Sequence, residues 1–85
     1  MKGLRSDMDQ ILDRICERVK WARTKHAGEW TGNGKYYALG VIADEMREFE
    51  HAVLNESTER QEDEALDVIA TCVRFLAKEY EACPR

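Results

Sequence analysis

The chain has 85 residues, a net charge of −4 and no block of basic residues. That length fits one domain over residues 1–85 with a core modest enough to favour oligomerisation, and the charge argues against a nucleic-acid polymer as partner, since phosphate-backbone binding needs clustered Lys and Arg. No stretch approaches the roughly 20 apolar residues that cross a bilayer, and no signal-peptide pattern opens the chain, so a cytoplasmic protein is expected.

The first segment runs from about Ser6 to Lys25. Met8, Ile11, Leu12, Ile15, Val19 and Ala22 recur at the spacing of an amphipathic helix. Ser6 or Asp7 suits its N-cap, and Asp7 and Asp9 suit the positive end of its dipole. Three scattered cysteines, Cys16, Cys72 and Cys83, form no C-x-x-C pattern and read as reduced thiols. Cys16 and Cys72 fall in apolar-periodic stretches and are expected in the core.

The run from His26 to Lys35, HAGEWTGNGK, carries three glycines and an asparagine and predicts a loop. Trp30 lies within it. A large aromatic there is costly to leave wet. It either closes the edge of the core or offers a stacking surface to a nucleobase.

The second segment runs from about Tyr36 to Asn55. At about 100° per residue, Tyr37, Val41, Glu45, Glu48 and Ala52 share one stripe, with Ile42, Met46, Phe49 and Val53 beside it. Glu45 and Glu48 therefore sit among apolar positions, whereas a solvated charged face would fall on the far side with Arg47.

A short connection from Asn55 to Thr58 follows. Ser57 or Thr58 can cap the next helix, and Thr58-x-x-Gln61 fits a capping box. The third segment runs from about Glu59 to Ala82, with Pro84 beyond its end. From Ala65 to Ala77 it reads ALDVIATCVRFLA, apolar on nearly every side, which predicts a helix buried all round. Asp67, Thr71 and Arg74 interrupt it at i, i+4 and i+7, on one line that Glu64 extends at one end and Lys78 at the other.

An all-α fold follows: three main helices, with segments two and three as an antiparallel hairpin and segment one packed across it. A homodimer would complete a four-helix bundle, and a dimer of dimers is a natural extension.

A single E-x-x-E is ordinarily an exposed face. Here Glu45-x-x-Glu48 and Glu64-x-x-Asp67 each stack two carboxylates on one helix face, the first on an apolar stripe and the second on the polar line of an apolar helix. On packed helices the four would converge and repel unless a cation neutralised them. Hard oxygen ligands suit Mg²⁺ or Mn²⁺. Arg74 and Lys78 stand roughly 10 to 16 Å of helix beyond Asp67, a reach suited to the distal phosphates of a metal-bound nucleotide. Arg74 has an equally simple reading as an internal ion pair with a carboxylate of the cluster.

E-x-x-E followed by E-x-x-D on an all-helical chain resembles the MazG-like all-α nucleoside triphosphate pyrophosphohydrolases. Residues 41–76, VIADEMREFEHAVLNESTERQEDEALDVIATCVRFL, are similar to that family's central hairpin. The fuller pattern, E-E-x-x-E, has Asp44 at its first position here, and a common Lys four residues before the E-E pair is Gly40. The resemblance implies metal ligands at Glu45, Glu48, Glu64 and Asp67. It also implies hydrolysis of a nucleoside triphosphate, usually a deoxy or non-canonical one, to monophosphate and pyrophosphate. Glu45 and Glu48 are then the catalytic carboxylates, with Glu45 the first candidate for general base. Lys35 or Lys78 replaces the missing phosphate contact, and Arg74 matches a basic position in some relatives. Trp21, Trp30, Tyr36 and Tyr37 are candidates for stacking on the base. Three other readings compete: a di-iron or di-manganese bundle built on Glu48-x-x-His51, a non-catalytic helical interaction module, and the related phosphoribosyl-ATP pyrophosphohydrolase.

Overall fold

The computed structural model of the chain describes residues 4–81. Among them it is all-helical, with α1 at Leu4–Lys25, α2 at Gly34–Asn55 and α3 at Thr58–Leu76, and no strand. None of these helices is long and apolar enough to cross a membrane. Helix α1 begins two residues before Ser6, because the apolar period continues back to Leu4. Positions 6 and 7 therefore lie inside the first turn and not at the N-cap, and Asp7 meets the positive helix end from within that turn.

Ser57 caps α3, its hydroxyl accepting from the Arg60 N–H at 3.3 Å. Thr58 is the first helical residue, and Gln61 donates to the Glu56 carbonyl instead of closing a capping box.

Helix α3 stops at Leu76, six residues short of Ala82, for a local reason. Lys78 adopts a left-handed φ of 59°. Its N–H donates to the Phe75 carbonyl at 2.9 Å, and the Glu79 N–H donates to the Arg74 carbonyl at 3.1 Å. This pair of bonds is a Schellman ending, in which an apolar contact usually joins the residues here occupied by Arg74 and Glu79. An ion pair takes its place: Arg74 Nε donates to Glu79 Oε1 at 2.7 Å. Lys78 thus leaves the polar line of α3. Cys83 and Pro84 lie outside the described residues, as does Ala82.

Beyond α3 the chain turns back onto the glycine-rich loop. The Gly32 N–H donates to the Glu81 carbonyl and the Gly34 N–H to the Tyr80 carbonyl, both at 3.0 Å. Gly32 and Gly34 have φ of 77° and 85°, a backbone region that a side chain would strain. Tyr80 stacks on Phe75 at 5.0 Å between centroids. Residues 77–81 therefore clamp the loop that carries Trp30.

Helix α3 is the centre of the fold. It packs against both α1 and α2, which make no backbone-level contact with each other. Alanines set the close approach: Ala38 and Ala52 on α2 and Ala70 on α3 are buried. Val19 and Ala22 of α1 and Trp30 of the loop complete the core. Trp30 does close the core edge, as one reading of the loop requires. The two outer helices leave an open cleft above α3, and the radius of gyration of 14.3 Å exceeds the roughly 12 Å of a compact chain this long.

Two expectations are corrected by this openness. Helix α3 is not buried all round, since Ile69 and Leu76 are exposed. Cys72 and Cys16 are exposed as well, and not in the core. Three helices around one axis cover only part of an apolar surface, and the faces carrying these residues have no neighbour among the described residues.

A lysine at the left-handed position costs about 1 kcal/mol relative to glycine. Lys78→Gly is expected to raise stability by about that amount in urea denaturation, and an unchanged or lower midpoint would contradict the assigned helix ending.

Candidate functional site

Side chains from three elements line the cleft above α3, which encloses about 350 Å³. Glu45 and Glu48 enter from α2; Asp67, Thr71 and Arg74 form the floor on α3; Trp21 and Lys25 stand on α1. His26, Glu29 and Trp30 close one end. The single stripe read from the sequence of α3 is thus a real surface from Asp67 to Arg74. The stripe on α2 is equally real, because burying Ala38 and Ala52 against α3 turns Glu45 and Glu48 towards it.

Glu45, Glu48 and Glu64 each offer one oxygen within 4.8 Å of the others. Glu64 is 5% exposed. Its Oε2 accepts from Arg60, one turn earlier on α3, whereas its Oε1 is buried with no hydrogen-bond partner. A buried charged oxygen is rarely left so, because its desolvation is then uncompensated. Asp67 adjoins this trio, but its Oδ1 accepts from Arg18 Nη1 of α1 at 2.5 Å.

Charge in the site is unevenly balanced. Arg18 and Arg60 offset Asp67 and Glu64. Glu45 and Glu48 have no cationic partner among the described residues. Burial first, then Glu48, Asp67, Glu64 and Asp44 in turn, pushes the Glu45 carboxyl up to about 7. Burial, and then Asp67 and Glu48, also raise that of Glu64, against the opposing pull of Arg60. Three converging carboxylates, Glu64 with one oxygen unpartnered and Glu45 reluctant to ionise, suit a divalent cation with oxygen ligands.

The other residues singled out in the sequence are distributed as follows. Arg74 is in the cleft but 4% exposed. Its ion pair is with Glu79 and not with a carboxylate of the cluster. Its guanidinium lies 4.6 Å from the Trp30 ring centroid, and Glu79 is shared with Arg23. Trp30 meets Tyr37 edge-on and is 3% exposed, which leaves it no free face for a base. Trp21 and Tyr37 are half-open and line the cleft from opposite helices. Lys78 lines a separate hollow behind Arg74. Lys35 lies over the exposed Tyr36 ring, away from the carboxylates' cleft. His51 Nδ1 donates to Glu56 Oε2 at 2.8 Å and takes no part in the carboxylate trio.

Sequence reading missed Arg18, Arg60 and Lys25. Arg60 precedes Glu64 by four residues, a spacing that pairs opposite charges on a helix. Arg18 follows Ile15 by three and precedes Ala22 by four, so it is a charge on an apolar stripe, the same signal that marked Glu45 and Glu48. Lys25 at the end of α1 carries no comparable signal.

Comparison of the chain with protein-family models, with curated proteins and with solved structures finds no match in any of the three.

The raised Glu45 value has a definite sign. Between its ordinary value of 4.5 and about 7, the folded state binds more protons than the unfolded chain, so stability without metal falls as pH rises through that window and stays low above it. Glu45→Gln is expected to remove most of this fall. At pH 8 it should raise the melting temperature of metal-free protein by about 4–8 °C, the effect of about 1 kcal/mol in a domain this size after solvent screening of a half-open site. Equal melting temperatures for the two proteins at pH 8 would contradict this electrostatic account.

Proposed function

We propose that the chain is a Mg²⁺-dependent nucleoside triphosphate pyrophosphohydrolase of the MazG-like type, converting a (deoxy)nucleoside triphosphate and water to monophosphate and pyrophosphate, with Mn²⁺ as an alternative cation. The observation that carries the reading is the convergence of Glu45, Glu48 and Glu64 on one point, with Glu64 Oε1 buried and unpartnered. Asp67 stands beside them as the fourth ligand once Arg18 releases it.

A divalent cation held there would lower the pKa of a coordinated water and polarise the α-phosphate. Glu45, the first candidate for general base, would take the proton of that water. Glu48 holds the second open ligand position on α2. Tyr37 and Trp21 are the half-open aromatic rings on which a base can stack, Trp21 once Lys25, 4.6 Å from its ring centroid, gives way. Lys25 adds positive charge to the rim of the cleft.

The chain acts as a homo-oligomer in a cytoplasmic setting, with at least a dimer. Leu39, Met46 and Val53 are exposed at seven-residue intervals on α2, and Ile69 and Leu76 at the same interval on α3. Those stripes lie roughly 80–180° around each helix from the carboxylates, so a second copy can complete a bundle without covering the cleft. Light scattering at micromolar concentration is expected to give at least twice the chain mass of 9.9 kDa; a stable monomer contradicts the bundle.

Hydrolysis in ¹⁸O-labelled water tests the reaction. Label in the monophosphate, with pyrophosphate as the other product and strict dependence on Mg²⁺ or Mn²⁺, is the expected result. Label in orthophosphate, or turnover unaffected by chelator, would overturn the assignment.

A further inference from the structure

Arg18 makes three hydrogen bonds, and two of them are to a residue outside the four-carboxylate set. Its Nη1 donates to Asp67 Oδ1 at 2.5 Å and to the Asp63 carbonyl at 3.2 Å, and its Nη2 donates to Asp63 Oδ1 at 3.1 Å. Asp63 therefore pins the guanidinium whether or not Asp67 stays. The side chain is 22% exposed. It opens into a second cavity of about 790 Å³ between α1 and α3. That cavity shares Asp67 and Trp21 with the carboxylate cleft, and Arg60 also lines it.

A guanidinium and a divalent cation compete for the same carboxylate oxygen. In this structure Arg18 holds Asp67, while Glu64 Oε1 beside it has no partner. A cation drawn in by Glu45, Glu48 and Glu64 gains a fourth oxygen if Asp67 turns to it. The turn frees one N–H of Arg18, still anchored at Asp63 and already on the wall of an open cavity. A planar fork of N–H groups with a vacant donor matches a phosphate oxygen. Arg74, the arginine on the floor of the carboxylate cleft, is less available, because Glu79 occupies its Nε and Trp30 covers its face.

We infer that Arg18 is an exchangeable counter-ion. It holds Asp67 until a divalent cation takes that carboxylate, and it then binds a phosphate of the triphosphate from the cavity between α1 and α3. This rests on the hydrolase reading above, which left Arg18 without a role in binding substrate.

Two calorimetric titrations on the full chain separate the claims. Mn²⁺ alone is titrated first, and then the preformed magnesium complex of inorganic tripolyphosphate is titrated into magnesium-saturated protein. Arg18→Gln removes the competitor and the phosphate donor together. It is expected to bind Mn²⁺ about threefold or more tightly than wild type and to bind the tripolyphosphate complex at least about tenfold more weakly, the loss of one charge-assisted hydrogen bond. Arg18→Lys keeps the charge without the fork, so its tripolyphosphate affinity should fall between the two. Circular dichroism checks that each variant stays helical; if Arg18→Gln does not, Arg18→Lys decides by the same criterion. Tripolyphosphate affinity equal to wild type in a folded variant overturns the inference and leaves the metal site standing. No Mn²⁺ binding by the wild-type protein overturns the metal site, and the exchange with it.

Discussion

Glu64 brings a negative charge into the packed side of α3, where Arg60 satisfies one oxygen and nothing satisfies the other. Leaving a buried polar group unmatched costs about 1–3 kcal/mol, and more when it is charged. In a small domain whose net stability is on the order of 10 kcal/mol, that is a large sacrifice. Much of the rest of the structure bears on this one position. Ala38, Ala52 and Ala70 let α2 approach α3 closely enough to set Glu45 and Glu48 beside Glu64. Arg18 crosses from α1 to restrain Asp67. The shift of Glu45 to about 7 is the same crowding expressed as a proton equilibrium.

The helix ending and the site are also connected. The Schellman turn at Lys78 places Glu79 against Arg74, and that pair presses the guanidinium onto Trp30. The loop holding Trp30 is in turn tied to residues 80 and 81 through Gly32 and Gly34. The far end of the cleft is thus closed by a single unit of backbone bonds, an ion pair and a cation–aromatic contact. Its near end, at the carboxylates, lacks such closure. Hydrogen bonds and the ion pair are concentrated where Arg74 sits, and unbalanced charge where Glu45 and Glu48 sit.

The sequence made the helices legible because their apolar period is strong, and it made the carboxylates legible because they fall on stripes where charge is unexpected. Helix boundaries were less accessible. Nothing in the composition of residues 77–82 announces a left-handed lysine, since that position usually calls for glycine. The exposure of Cys72, Ile69 and Leu76 was hidden for another reason. An apolar stripe shows that a face needs cover, not which chain supplies it. Arg18 pairs with a residue 49 positions away, a contact with no local spacing rule to reveal it. Its place on the apolar stripe of α1 was the available clue.

The convergence of Glu45, Glu48 and Glu64 is proposed to hold a divalent cation. Anomalous X-ray scattering from crystals grown with Mn²⁺ tests it most directly. Manganese is expected among the carboxylates of Glu45, Glu48 and Glu64. Crystals at saturating Mn²⁺ with no anomalous peak among those three residues, or with manganese only elsewhere on the surface, would contradict it.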